Sequence, residues 1–491
     1  MANINKGKEI FIMAKKIFPS NFLWGGALSN VQAEGGYLDD DKGLNVYDAM
    51  VVTPEPGIPQ MYSDTSVASD HYHRYKEDIR YMQEMGFKAY RFSVIWSRIH
   101  PLGDEDLPNE KGLAFYEDMI DSLLDAGIEP VVSLVHFDMP NNLAKKYNGF
   151  LAKEVIEFYA RHVEHVVERL KGKVKYWITY NEINLAPFHA SLVAGSEKPA
   201  EMSEAQFFSQ LTFNVGVAHA KAVERIKRIA PKANVTGMLG HCPFNPKSNS
   251  SEDLWATQFK NKMHNYLAFD IMNFGKLPNY FINYMEKRNV NLIASEQEYQ
   301  LINDAAKKIN YLAFSYYRTG VTGIFENIPY EDVIAQEDAI LKDERRLRNL
   351  NYSANEWGWQ KDPEGLRLAL VELYERYQKP LFIVENGIGI DEPLVDGKVF
   401  DNERIKYYQN HITSIKRSVI EDGVEVLGYL AWSPIDFLSS HKEMRKRYGF
   451  VYVNRTTQEL LDLNRYRKKS FYWYQQVINT NGDNLANDVE Y

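Results

Sequence analysis

Short apolar runs rich in β-forming residues recur along this chain, and each is followed by a longer segment with helical periodicity. That alternation constrains the fold more than any other feature. Eight runs fit the pattern, at 22–29, 89–96, 129–136, 176–183, 234–240, 311–317, 381–387 and 425–433. The segments that follow, for example 112–126, 154–170, 363–377 and 402–421, carry apolar residues at three- and four-residue spacing, as a helix packed on a sheet does. Strands separated by crossover helices pair in parallel. Eight such units predict an α/β fold, a single closed (β/α)8 TIM barrel with long βα loops.

At 491 residues the chain would ordinarily divide into about three domains of ~150 residues. No Pro/Gly/Ser-rich linker, composition step or low-complexity tract marks a division. One catalytic barrel over 17–480 is therefore expected, with a flexible N-terminal extension at 1–16 and a polar C-terminal tail at 481–491. Met13 heads a sensible second translation start. Two irregular stretches, 51–65 and 318–357, read as surface loops, and the second is long enough to frame a substrate pocket. Its run Lys342-Asp343-Glu344-Arg345-Arg346 reads as a solvated face.

Charge narrows the partners. Against 66 Asp and Glu stand 57 Lys and Arg, a net charge of −9 with no compensating basic block. Nucleic acids and anionic membranes are therefore not expected as partners. With 45% hydrophobic and 25% charged residues, the chain can bury a large core. The lone cysteine, Cys242, cannot pair within the chain and reads as a buried, inert thiol. The apolar run at 10–14 is too short for a signal-peptide core or a membrane span, so a cytoplasmic location is expected.

In a parallel barrel the chemistry sits at the C-terminal ends of the strands. Two of those ends carry carboxylates: Asn181-Glu182 follows Trp177-Ile178-Thr179-Tyr180, and Glu385-Asn386-Gly387 follows Leu381-Phe382-Ile383-Val384. Either glutamate alone could be a structural carboxylate satisfied by an arginine. Together, with Arg91, His136, Tyr316, Tyr317 and Trp432 at other strand ends, they match the paired acids of glycoside hydrolysis. One carboxyl must then be protonated near the leaving oxygen and the other ionised near the anomeric carbon. Arg91 is a plausible cation to keep Glu385 ionised. His71-Tyr72-His73 has the spacing of a metal pair, but lacks a third ligand and reads instead as the surface start of a helix.

These motifs resemble glycoside hydrolase family 1 from Phe18 to about Tyr474. The resemblance is carried by Phe18-Pro-Ser-Asn-Phe-Leu-Trp-Gly-Gly-Ala27 continuing to Gln32-Ala-Glu34-Gly35, by Arg91-Phe-Ser-Val-Ile-Trp-Ser-Arg98, by Leu134-Val-His136-Phe-Asp138, by Thr179-Tyr-Asn181-Glu182 and by Val384-Glu385-Asn386-Gly387. It implies a retaining double displacement with Glu385 as nucleophile and Glu182 as acid/base, the two carboxyls about 5–5.5 Å apart. By the same carry-over Gln32, His136, Asn181 and Trp432 hold the glycone hydroxyls, with Asn181 at the 2-OH. Tyr317 orients Glu385 with Tyr316 beside it, and Trp359 lies toward the aglycone. No metal or cofactor is implied.

One departure sharpens the substrate. Family members acting on neutral sugars usually place a Glu and a Trp where this chain has Ser439 and Ser440. Losing the carboxylate removes a charge that would repel a phosphate. With Lys446 and Tyr448 downstream, Ser439 resembles the phosphate-binding triplet of the 6-phospho-β-glucosidase subgroup, and Ser315 is similar to that subgroup too. Ser440 tilts the expectation toward 6-phospho-β-glucosides over 6-phospho-β-galactosides. A neutral-sugar β-glucosidase and a catalytically silent carbohydrate-binding barrel remain alternatives, and Lys446-Arg447 could be a solvated basic turn. The expected partner is a small phosphorylated β-glycoside, with a homodimer possible.

Overall fold

The structure is a computed structural model and describes residues 18–50, 65–345 and 347–491. The expected N-terminal extension, the second start at Met13 and all of the 51–65 loop except Thr65 lie outside the described residues. The barrel strands are β1 (Leu23–Ala27), β2 (Ala89–Ser93), β3 (Glu129–Ser133), β4 (Tyr176–Ile178), β5 (Asn234–Thr236), β6 (Met238–His241), β7 (Leu312–Tyr316), β8 (Leu381–Asn386) and β9 (Val426–Trp432). They pair in parallel in the order β5-β4-β3-β2-β1-β9-β8-β7-β6.

β5 and β6 are two halves of one strand position, and they close the barrel. β5 pairs with β4 and β6 pairs with β7. The break falls at Gly237, where a Cβ would stand 2.6 Å from the Met272 sulfur. Eight strand positions thus form the ring expected from the alternating runs.

Helices cover the sheet: α1 (His71–Met85), α2 (Glu110–Asp125), α3 (Lys153–Leu170), α4 (Glu204–Ile229), α5 (Glu296–Ala306), α6 (Pro363–Tyr377), α7 (Asn402–Ile420) and α8 (Lys469–Asn479). In α3 the buried residues Val155, Ile156, Tyr159, Val163, Val166, Val167 and Leu170 fall on one face. Helix starts carry their own stop signals for the backbone. Ser295 and Glu298 form a capping box, and Asp362 accepts the Gly365 N–H with Pro363 in the first turn. Among the described residues, no helix is long and apolar enough to cross a membrane.

Three local expectations need correction. The 318–357 stretch is not irregular throughout: Gly320–Thr322 pairs in parallel with Phe244–Pro246, and Val333–Leu341 is a helix. Within its charged run, Lys342 and Glu344 are exposed, but Arg345 stacks 3.6 Å over the Phe325 ring and donates to the carbonyls of Gly323 and Ile324. His71 does start a helix, yet it is buried rather than on the surface. Its Nδ1 meets Asp78 at 2.8 Å, and Arg465, from nearly four hundred residues on, reaches the same carboxylate. Cys242 is half-buried rather than fully enclosed, and burial pushes its thiol pKa up.

Residues 481–491 lie against the barrel. Asn481 accepts from Trp24 Nε1 and donates to the Phe18 carbonyl, both at 2.9 Å, while the Leu485 carbonyl accepts from Gln409 and Trp473.

Candidate active site

Successive residues of a strand face opposite sides, and this decides which rim residues enter the barrel mouth. At the end of β7, Ser315 donates to Glu182 Oε1 at 2.7 Å and Tyr317 donates to Glu385 Oε2 at 2.8 Å. Tyr316, between them, turns outward. Its hydroxyl bonds the Asp362 carbonyl at 2.6 Å, under the start of α6, so it does not stand beside Tyr317 at Glu385 as expected.

Gly240, Ser315 and Glu385 form one row in register across β6, β7 and β8. The register of β8 shifts after Ile383 against both neighbours. Such irregularities bend a strand and re-aim its side chains, here at Glu385. Glu182 comes from the turn after β4, the strand position next to β5 and β6. Its carboxyl lies over Gly240, where a Cβ would stand 3.0 Å from Glu182 Cδ. The serine that donates to Glu182 is thus the strand neighbour of Glu385, which brings the two carboxyls to the same pocket.

Arg91, buried in β2, joins the row to the facing wall. One guanidinium nitrogen donates to Glu385 Oε1, a second to Asn181 Oδ1 at 2.6 Å, and the third to Ser133 Oγ at 2.9 Å. Both glutamates are buried, so desolvation raises both pKa values, but their partners differ. Burial and then the charge of Glu385 push Glu182 up to about 7, with only the Ser315 hydroxyl and Arg91 opposing. Burial also raises Glu385, against the charge of Arg91 and hydrogen bonds from Tyr317 and Arg91. The environment therefore favours a proton on Glu182 and a charge on Glu385. Glu182 also holds a left-handed backbone, φ 45° and ψ 47°. For a non-glycine residue that costs about 1–2 kcal/mol and persists only when the surroundings enforce it.

Gln32, His136, Asn181 and Trp432 gather on the same rim. The His136 and Trp432 rings lie 6.0 Å apart and nearly parallel, with Phe437 edge-on to Trp432. Burial, and then Arg91, hold His136 well below its ordinary pKa, so the ring is neutral. Gln32 donates its amide to the Leu438 carbonyl at 2.9 Å. Among the described residues, His136 Nδ1 and Asn181 Nδ2 are buried without a hydrogen-bond partner. Glu34 of the same N-terminal motif serves the framework instead, paired with Arg98 and Tyr116.

Ser439, Lys446 and Tyr448 are all buried. Ser439 Oγ accepts the N–H groups of His441 and Glu443, and Tyr47 holds its carbonyl at 2.8 Å. Lys446 and Tyr448 both press on Gly389, where a Cβ would meet Lys446 Cγ at 2.6 Å and Tyr448 Cζ at 3.0 Å. Arg447, between them, turns away to Asp436 at 2.9 Å and to the carbonyls of Val453 and Arg455. Arg404 ties this segment to the stretch after β8 by donating to the carbonyls of Ile388, Arg447 and Tyr448. Lys446-Arg447 is therefore not a solvated turn. Lys446 Nζ stands 3.9 Å from the ring centre of Trp359, which also meets Tyr317 at 5.5 Å and the Arg318 guanidinium at 5.6 Å. Trp357 lies beside the same lysine at 5.3 Å.

Sequence reasoning passed over Ser133, Gly240, Tyr47 and Trp357. The first two had a signal, a small residue at or near the end of an apolar run, where a strand can be approached closely by another side chain. Tyr47 and Trp357 had none, because their contacts come from remote loops. Among the described residues, no group of three or more His, Cys, Asp or Glu is placed to hold a metal ion.

Comparison with known proteins agrees with the barrel fold. The profile of Glycosyl hydrolase family 1 matches residues 14–483. An aryl-phospho-beta-D-glucosidase of Bacillus subtilis, BglH, is 40% identical over 483 residues, covering 96% of this chain and 99% of the relative. A 6-phospho-beta-glucosidase of Clostridium longisporum is 41% identical over 479 residues, 95% of this chain and 98% of the relative. Among solved structures, a family 1 beta-glucosidase from Thermotoga maritima superposes with a TM-score of 0.80 at 29% identity, covering 95% of this chain and 99% of that one. With its profile matched almost end to end, the chain belongs to glycosyl hydrolase family 1.

Proposed function

We propose that this protein is a retaining hydrolase of 6-phospho-β-D-glucosides that releases glucose 6-phosphate and an aglycone. The observation that carries the reading is the buried Lys446–Tyr448 corner, joined through Trp359 and Tyr317 to Glu385. The names of the two phospho-glucosidase relatives point the same way.

Glu385, ionised and oriented by Arg91 and Tyr317, attacks the anomeric carbon as the bond to the leaving oxygen breaks. Glu182 gives its proton to that oxygen, so the aglycone departs neutral and the sugar stays esterified to Glu385. Glu182, now ionised, takes a proton from water, whose oxygen displaces Glu385. Both carboxyls return to their starting states, and two inversions retain the β configuration. Asn181 receives the 2-hydroxyl, with Gln32, His136 and Trp432 around the remaining glycone hydroxyls. Ser439, Lys446 and Tyr448 take the 6-phosphate. A sugar phosphate does not cross a bilayer unaided, so the enzyme belongs in the cytoplasm.

The direct test compares kcat/KM for p-nitrophenyl β-glucoside, β-galactoside and the 6-phosphate of each. The 6-phospho-β-glucoside is expected to lead, and equal turnover of the unphosphorylated glucoside would sink the assignment. The pH profile provides a second check. Proton donation requires Glu182 protonated, so kcat/KM on a poor leaving group should fall as pH rises through about 7. The acid limb should report Glu385, shifted above the ordinary carboxylate range. An alkaline limb that survives in Glu182→Gln would assign that titration to another group.

A further inference from the structure

We infer that Asn184 is a positioning residue for Glu182, acting at the head of a three-asparagine ladder along the edge of the fifth strand position; the inference rests on the reading of Glu182 as proton donor. The stretch from Met238 to Pro246 pairs on one side with β7 and then with Gly320–Thr322. Along it, three alternate residues are each met by a side-chain amide that does what a neighbouring strand would do.

Asn184 accepts the Gly240 N–H at 2.8 Å and donates to the Gly240 carbonyl at 2.9 Å. Asn265 accepts the Cys242 N–H at 3.1 Å and donates to its carbonyl at 2.8 Å. Asn261 accepts the Phe244 N–H at 2.9 Å and donates to its carbonyl at 3.0 Å. The rungs are linked. Asn265 donates to Asn261 Oδ1 at 2.8 Å, and Asn184 donates to the carbonyl of His264 at 2.9 Å. Asn261 ends the helix Ser251–Asn261, and His264 and Asn265 lie in the single π-helical turn Lys262–Tyr266 that follows. Inserted turns of this kind recur at functional sites.

Only the top rung touches the chemistry. Gly240 is the floor on which the Glu182 carboxyl rests, and Asn184 is two residues beyond Glu182 in the same turn. The amide therefore ties the strained turn that carries the acid to the strand residue that seats it. Both Nδ2 protons and the Oδ1 of Asn184 are engaged with backbone, which leaves it no free donor for a substrate. Aspartate would offer two acceptors where a donor is needed, and alanine neither.

General-acid help matters for a poor leaving group and little for a good one. The experiment measures kcat on methyl and 2,4-dinitrophenyl β-glucoside 6-phosphates for Asn184→Ala, Gly240→Ala and Glu182→Ala, each checked for folding by circular dichroism. Asn184→Ala is expected to lose about ten-fold or more on the methyl glycoside and under about three-fold on the dinitrophenyl one, with its alkaline limb displaced and KM little changed. Gly240→Ala, whose new methyl enters the space of the carboxyl, should repeat the pattern as the mark of a displaced acid, and if Asn184→Ala does not fold, Asn184→Asp, which keeps the acceptor and loses both donors, decides the matter. If Glu182→Ala shows leaving-group dependence while the Asn184 variant loses activity equally on both substrates, or loses none, the ladder role is overturned. If Glu182→Ala itself shows no such dependence, the proton-donor reading falls first and the ladder's role with it.

Discussion

Replacing Glu385 with glutamine is expected to lower kcat on p-nitrophenyl β-glucoside 6-phosphate by at least about 10⁴-fold, because without the carboxylate no glycosyl ester can form. The amide is nearly isosteric and its oxygen can still accept from Arg91, so the loss of turnover should far exceed any fall in thermal midpoint. Removing the charge leaves Arg91 buried among neutral partners, the new amide, Asn181 and Ser133. The variant's alkaline limb should therefore move down, since the charge of Glu385 is the second cause, after burial, that raises Glu182. Rapid-quench mass spectrometry should find a sugar ester on the wild type and none on the variant. Unchanged turnover would remove Glu385 from the reaction altogether.

The second large effect is expected at Lys446. Changing it to methionine keeps the stem packed on Trp359 and removes the charge. Charge-assisted hydrogen bonds contribute about 1.5–3 kcal/mol each, and more when desolvated, so kcat/KM for the 6-phosphate should fall by about 10²-fold or more. Activity on the unphosphorylated glucoside should not fall. Ser439→Glu should push in the same direction by bringing a carboxylate toward the phosphate. Parallel losses on both substrates would mean that Lys446 holds the loops rather than the ligand.

Much of this molecule is legible in its sequence because a barrel writes itself locally. Each strand is an apolar run and each helix a periodic segment, and the rim groups stand where the runs end. What was misjudged depends on partners distant in the chain. Gly237 is the one sign of a break in the fifth run, but the side chain that crowds it, Met272, belongs to another helix and leaves no trace there. His71 looked like a surface residue because Arg465, which helps to make its burial affordable through Asp78, lies at the far end of the sequence. Gly320–Thr322 becomes a strand only by meeting Phe244–Pro246. Tyr316 was open to a better reading from sequence alone: strand alternation sends it outward whenever Ser315 and Tyr317 face in.

Trp359 has a consequence for how the substrate is read. It is the shared neighbour of Lys446 and of Tyr317, the residue that orients Glu385. In the proposed binding mode, the group that takes the phosphate and the group that orients the nucleophile thus share one aromatic neighbour. Attraction of the phosphate toward Lys446 then serves more than tethering, since it is in place to be drawn on while the glycosidic bond breaks. A glucoside lacking the phosphate would pay twice, once in occupancy and again, after binding, in the speed of its own cleavage.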